Sequence, residues 1–164
     1  NSKNYVTGWY SGTMSMGSTS LSNQGSNDIY IAKLDSTGSV TWAISAGGTG
    51  DDRGYGIAID ANGNIYVCGL YSGSATFGTG GGSVSLTSTG ATDVFVAKFN
   101  NSGTLQWAKS GGSTNNERAL AIELDANNNV YICGYYNLPA GGGGGGSGGS
   151  RGGGNNYGWI SFNA

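Results

Sequence analysis

The side chains that could do chemistry are few. The chain of 164 residues holds nine Asp and Glu, seven Lys and Arg, two Cys and no His. Without histidine, the commonest general base and the commonest metal ligand are missing. Neither cysteine has an imidazole to activate it as a nucleophile. A hydrolase built on two carboxylates would need the fold to bring distant acids together, because no two make a convincing pair along the chain. Asp60-Ala-Asn-Gly-Asn64 begins like a calcium loop, but position twelve is Tyr71 rather than a bidentate Glu, so a hairpin turn is the better reading. Gly47-Gly-Thr-Gly-Asp-Asp-Arg53 is rich in glycine but lacks the Gly-Lys-Ser/Thr ending of a phosphate loop. These residues predict no catalytic, cofactor-binding or metal site.

Composition narrows the class further. There are 34 Gly and one Pro, and charged residues make up 10%. Collagen is excluded, because no strict Gly-X-Y period exists. No apolar run approaches the roughly 18 residues of a membrane span. A net charge of −2 leaves no basic footprint for nucleic acid. Four Trp, ten Tyr and four Phe sit within β-branched runs, which argues for a packed core rather than disorder. Beginning at Asn1 rather than Met, the chain is expected to have lost a signal or to be a piece of a longer one.

The elements that position these residues come from a repeat. Asp28–Tyr71 aligns with Asp93–Tyr136 without a gap, at an offset of 65. Asn4-Tyr-Val-Thr-Gly8 matches Asn64–Gly69 with one residue fewer. Within the repeat, Val94, Val96 and Lys98 alternate with Phe95, Ala97 and Phe99, as in a strand. Turn signals at Asn101-Ser-Gly103 and Asp60–Asn64 separate such runs, and no segment has a helical period. Each repeat therefore predicts four short strands, A to D from the axis outward. The fold class is all-β, with four-stranded antiparallel blades of the β-propeller type. The repeated Trp42 and Trp107, Ile57 and Ile122, and Tyr66 and Tyr131 are then packing positions between blades.

The combination of D-[IV]-[YF]-[IV]-A-K, G-x-x-x-W-A, a Gly-Gly loop, I-A-x-D, N-x-[IV]-Y-[VI]-C-G and Y-S-G resembles the bacterial SBBP β-propeller repeat family. The resemblance covers nearly everything except Leu138–Asn155. It implies large secreted or cell-surface proteins that act in scaffolding or adhesion, and it assigns no catalytic residues. About ten strands are expected, or two and a half blades. Residues 1–60 would hold strands B, C and D of a first blade and strand A of a second. Residues 61–125 would complete the second blade and start a third, and residues 126–164 would continue the third with a Gly-rich insertion at 141–154. Such a chain is either part of a longer one or a subunit whose open edges pair with neighbours.

Several residues are singled out within this frame. Trp9, Tyr10, Tyr71, Tyr135 and Tyr136 follow the repeated strand-B glycine and are the candidates for stacking on a glycan. Cys68 and Cys133 occupy equivalent positions in adjacent blades, too far apart for a disulfide, and are expected to be free thiols. Asn100-Asn-Ser102 is an N-glycosylation triplet. Asp35-Ser36-Thr37 resembles the O-glycosylation motif of Bacteroidetes-like bacteria, on the equivalent turn. Gly141–Gly154 reads as a flexible linker or as an extended segment packed on a neighbour. The expected function is a non-enzymatic, extracellular or cell-surface module that forms a homo-oligomer or polymer through open blade edges. A carbohydrate-binding module is the alternative.

Overall fold

A computed structural model describes residues 4–136 and 156–162, the last segment by its backbone. The expected Gly-rich stretch 141–154 lies outside the described residues. The second blade is complete. Its strands β6 (Arg53–Ile59), β7 (Ile65–Tyr71), β10 (Asp93–Phe99) and β11 (Leu105–Gly111) form an antiparallel sheet in that spatial order. The first blade has β1 (Asn4–Tyr10), β4 (Asp28–Leu34) and β5 (Val40–Gly48). The third has β12 (Arg118–Leu124), β13 (Val130–Tyr136) and β14 (Asn156–Phe162). These are the B, C and D strands of one blade, all four of the next, and A, B and C of the last.

Turn chemistry recurs with the repeat. Asp35, Asp60, Asn100 and Asp125 each use one side-chain oxygen to accept backbone N–H bonds from the residues two and four positions on. The residue three positions on must adopt positive φ. Gly38, Gly63 and Gly103 do so without a Cβ penalty, and Asn128, at φ 62°, fills the place in the fourth turn.

Blade stacking buries both faces of the second sheet. Its Phe95, Ala97, Phe99, Ile65, Val67 and Tyr71 pack on Ile29 and Ile31 of the first blade. Its Tyr66, Cys68, Val94 and Val96 pack on Ala119, Ile122, Val130 and Ile132 of the third. The alternation read in Asp93–Phe99 thus places each side chain against a different neighbour. Trp42 and Ile57 join the first interface, Trp107 joins the second, and Tyr66 is fully buried. Tyr131 remains 37% exposed on the third blade.

The strand count exceeds the expected ten because the B-to-C connections are themselves hairpins. β2 (Thr13–Met16) pairs with β3 (Thr19–Ser22), and β8 (Ser74–Phe77) pairs with β9 (Val84–Thr87). β8 also pairs with the end of β5, matching Gly47 to Thr76 and Gly48 to Ala75. The second blade therefore straps itself to the outer strand of the first. Met14, Met16, Leu21, Ala75, Phe77, Val84 and Leu86 alternate apolar with polar in these hairpins. This was the available signal, but four-residue strands among Gly, Ser and Thr give little periodicity.

Candidate functional site

Strand register gathers the repeated residues at one end of the sheets. Tyr10 faces Asp28 across β1 and β4, Tyr71 faces Asp93 across β7 and β10, and Arg53 faces Leu70 across β6 and β7. The aromatics that follow the strand-B glycine therefore share this end with Arg53 and the acids of the D-to-A loops.

The five aromatics named from sequence separate here. Tyr71 has no exposed surface, and its hydroxyl shares a 2.6 Å hydrogen bond with Ser110 Oγ. Tyr10 repeats the arrangement with Ser45 Oγ at 2.7 Å. Neither offers a ring face to a glycan. Tyr135 and Tyr136 are half-buried. Trp9 is 44% exposed. It meets Tyr55 edge-on at 5.4 Å and carries the Arg53 guanidinium at 5.3 Å from its ring centroid. Arg53 Nε in turn donates to Asp51 Oδ1 at 2.8 Å, and Asn27 Nδ2 donates to the same oxygen at 2.6 Å. Partial burial pushes the Asp51 carboxyl upward, but these bonds and the charges of Arg53 and Arg118 outweigh it and hold the group below its ordinary range.

A second set of residues lies beneath this surface, and sequence reasoning did not single it out as a site. Asp28, Asp93, Asp52 and Glu117 are all buried. Asp52 accepts N–H bonds from Gly48 at 2.8 Å and from Ser72 at 3.1 Å, tying the outer strand of one blade to the strap of the next. Burial pushes its carboxyl up to about 6, and the nearby Asp28 and Asp51 charges push the same way. The only hint in the sequence was the recurrence of Asp51-Asp52 as Asn116-Glu117. The fold does bring two acids together, but Asp28 and Asp52 are 1% and 0% exposed, beyond the reach of a substrate.

The SBBP profile, described as a beta-propeller repeat, matches residues 42–70, which run from β5 through the buried Asp52 to β7. The chain carries an SBBP β-propeller repeat. Regulatory protein FlaEY of Caulobacter vibrioides is 30% identical over 121 residues, covering 72% of this chain and 13% of that protein. An uncharacterized WD repeat-containing protein of Acanthamoeba polyphaga mimivirus is 29% identical over 116 residues, covering 69% of this chain and 8% of its own length. The chain therefore spans about an eighth or less of these relatives.

Other candidate residues find their places within the blades. Asp60 does not lie open to a cation, because Asn62, Asn64 and Tyr66 all bond to its carboxylate. Among the described residues no group of three metal-ligating side chains converges. Cys68 and Cys133 are free thiols. Burial pushes the Cys68 thiol up to about 12, so it stays protonated and packs as an apolar filler. Asn100 spends its side-chain oxygen on its own turn, and Ser36 is exposed on the equivalent turn. Among the described residues no helix is long and apolar enough to cross a membrane.

Proposed function

We propose that this chain is a non-catalytic structural or adhesive module, secreted or on the cell surface, that assembles with copies of itself or with the rest of a longer chain. The supporting observation is the edge strand β1. Among the described residues β1 pairs with β4 alone, leaving seven residues of strand backbone at an open inner edge. Such an edge is a template for another strand. The far face of the same blade carries the half-buried Val6, Tyr30 and Val40, against which Met14, Met16 and Leu21 of the β2–β3 hairpin pack. The small share of each relative that the chain matches suits a repeat module within a larger assembly. Light scattering on the purified chain, paired with negative-stain microscopy, tests this reading. Discrete oligomers or filaments are expected, and a monodisperse monomer at high concentration overturns it.

A carbohydrate-binding role is the second reading, and exposed Trp9 favours it. An indole held in place by Tyr55 and Arg53 is a preorganised stacking surface. On a glycan array, at least one ligand is expected whose binding weakens about tenfold or more in Trp9→Ala, equivalent to about 1.4 kcal/mol. An empty array removes this reading and leaves the first intact.

A further inference from the structure

The two junctions between blades use the same architecture with different chemistry. Between the second and third blades, every acidic oxygen has a donor. Asp93 accepts from the backbone N–H of Thr89 and Gly90 at 3.0 and 3.2 Å. Glu117 accepts from the N–H and hydroxyl of Ser113 at 3.0 and 2.6 Å. Between the first and second blades, Asp52 stands in place of Glu117 and Gly48 in place of Ser113. The side chain is one methylene shorter, and a hydroxyl donor is lost. Asp28 receives the Gln24 N–H on Oδ2 at 3.1 Å, and the Gly25 N–H also supports this carboxyl, but its buried Oδ1 has no well-formed hydrogen bond.

This oxygen and Asp52 Oδ2 both approach the same point above Gly47. The point where Gly47 would carry a Cβ is 3.1 Å from Asp28 Oδ1 and 3.0 Å from Asp52 Oδ2. Among the described residues no ion pair reaches either acid, and Arg53 is engaged with Asp51. Tyr10 from β1 and Tyr71 from β7 also face the two acids. Burial raises both phenols, so they stay neutral. A metal ion fits the surroundings poorly. The groups that touch these carboxylates are N–H donors from Gln24, Gly25, Gly48 and Ser72, whose positive ends would repel a cation.

We propose that Asp28 and Asp52 share one proton as an O–H···O bond that occupies the orphaned Asp28 Oδ1, and that losing this proton loosens the junction between the first two blades. Two like charges in a dry site cannot both ionise freely. With the proton present, Asp52 remains a neutral clamp on Gly48 and Ser72. With it gone, the repulsion falls on the short pairing of Gly47 and Gly48 with Thr76 and Ala75. The strap between blades is thereby tight in acid and slack in alkali. The sign follows from linkage. A folded value of about 6, above the ordinary Asp range, gives stability that is complete below about pH 4 and is lost as pH rises through about 6. Asp35, Asp51, Asp60 and Asp125 are held low and act oppositely, but only in stronger acid.

Carboxyl carbon NMR and thermal unfolding across about pH 3 to 8 test the proposal on the intact chain. One carboxyl of the pair should titrate near pH 6. The unfolding equilibrium constant should rise about tenfold between about pH 5 and pH 7.5. Asp28→Asn and Asp52→Asn should each flatten that slope, since an amide can donate where the shared proton did. Titration of both carboxyls below about pH 4.5 overturns the proposal, as does a slope that survives in both variants. A calcium-dependent rise in Tm at about pH 7.5, reversed by chelation, overturns it in favour of a cation. If neither variant folds, the titration of the unaltered chain decides alone.

Discussion

Phe95→Ala is expected to cost about 3–5 kcal/mol. Phe95 sits mid-strand in β10, flanked by β7 and β11, with no exposed surface. Its ring lies 4.8 Å from that of Phe77, which belongs to the strap hairpin. Removing it opens a cavity where two blades and the strap meet, and the backbone of a paired sheet cannot collapse to fill it. Natural domains are stable by about 5–15 kcal/mol, so the variant should unfold at far lower denaturant concentration. Tyr30 is the internal control. It occupies the equivalent position in the first blade, where it is half-buried on the far face. Tyr30→Ala should cost only about 1–2 kcal/mol. Equal losses for the two variants in urea titrations would mean that blade stacking does not supply the difference.

Gly69→Ala is expected to be nearly as damaging, for a backbone reason. A Cβ at Gly69 would overlap the carbonyl oxygen of Arg53 on the neighbouring inner strand. That carbonyl is placed by a register shift between Gly54 and Gly56, which makes Tyr55 an extra residue in β6. Gly134 meets the Arg118 carbonyl in the same way, beside the equivalent shift between Ala119 and Ala121. No rotamer change relieves a clash with main chain. The inner strand must shift, at a cost of about 3 kcal/mol. At Gly8 the nearest atoms are instead the outer end of the Tyr30 ring, which can swing aside, so Gly8→Ala should be mild. Slowed or unchanged amide exchange in β6 of the Gly69 variant would refute the account. Faster exchange there than in the Gly8 variant is the expected result.

The contrast between Tyr71 and Trp9 shows where the sequence stopped being informative. Both follow a repeated glycine, and alternation alone says that they point to opposite faces. It does not say what covers each face. Tyr71 and Tyr10 meet repeat-equivalent serines on the outer strands, contacts 39 and 35 residues away in the chain. Trp9 lies on an inner edge and meets Tyr55 of the next blade. The straps escaped notice for a related reason. Their strands are four residues long, and their pairing to β5 spans only two residue pairs, too little for a period to register.

By itself the sequence determined the repeat, the all-β class, the order of the strands in each blade and the hairpin turns at Asp60–Asn64 and Asn101–Gly103. These depend on interactions within a few residues or on alternation along one strand, and both are written locally. Tertiary structure alone decided which aromatic stays exposed, how one blade straps to another and which carboxylates meet in a dry junction. Asp28 and Asp52 are 24 residues apart in the sequence, each with an ordinary turn-like context. Only the stacking of two sheets removes water from both at once, and that burial is what pushes both carboxyls upward.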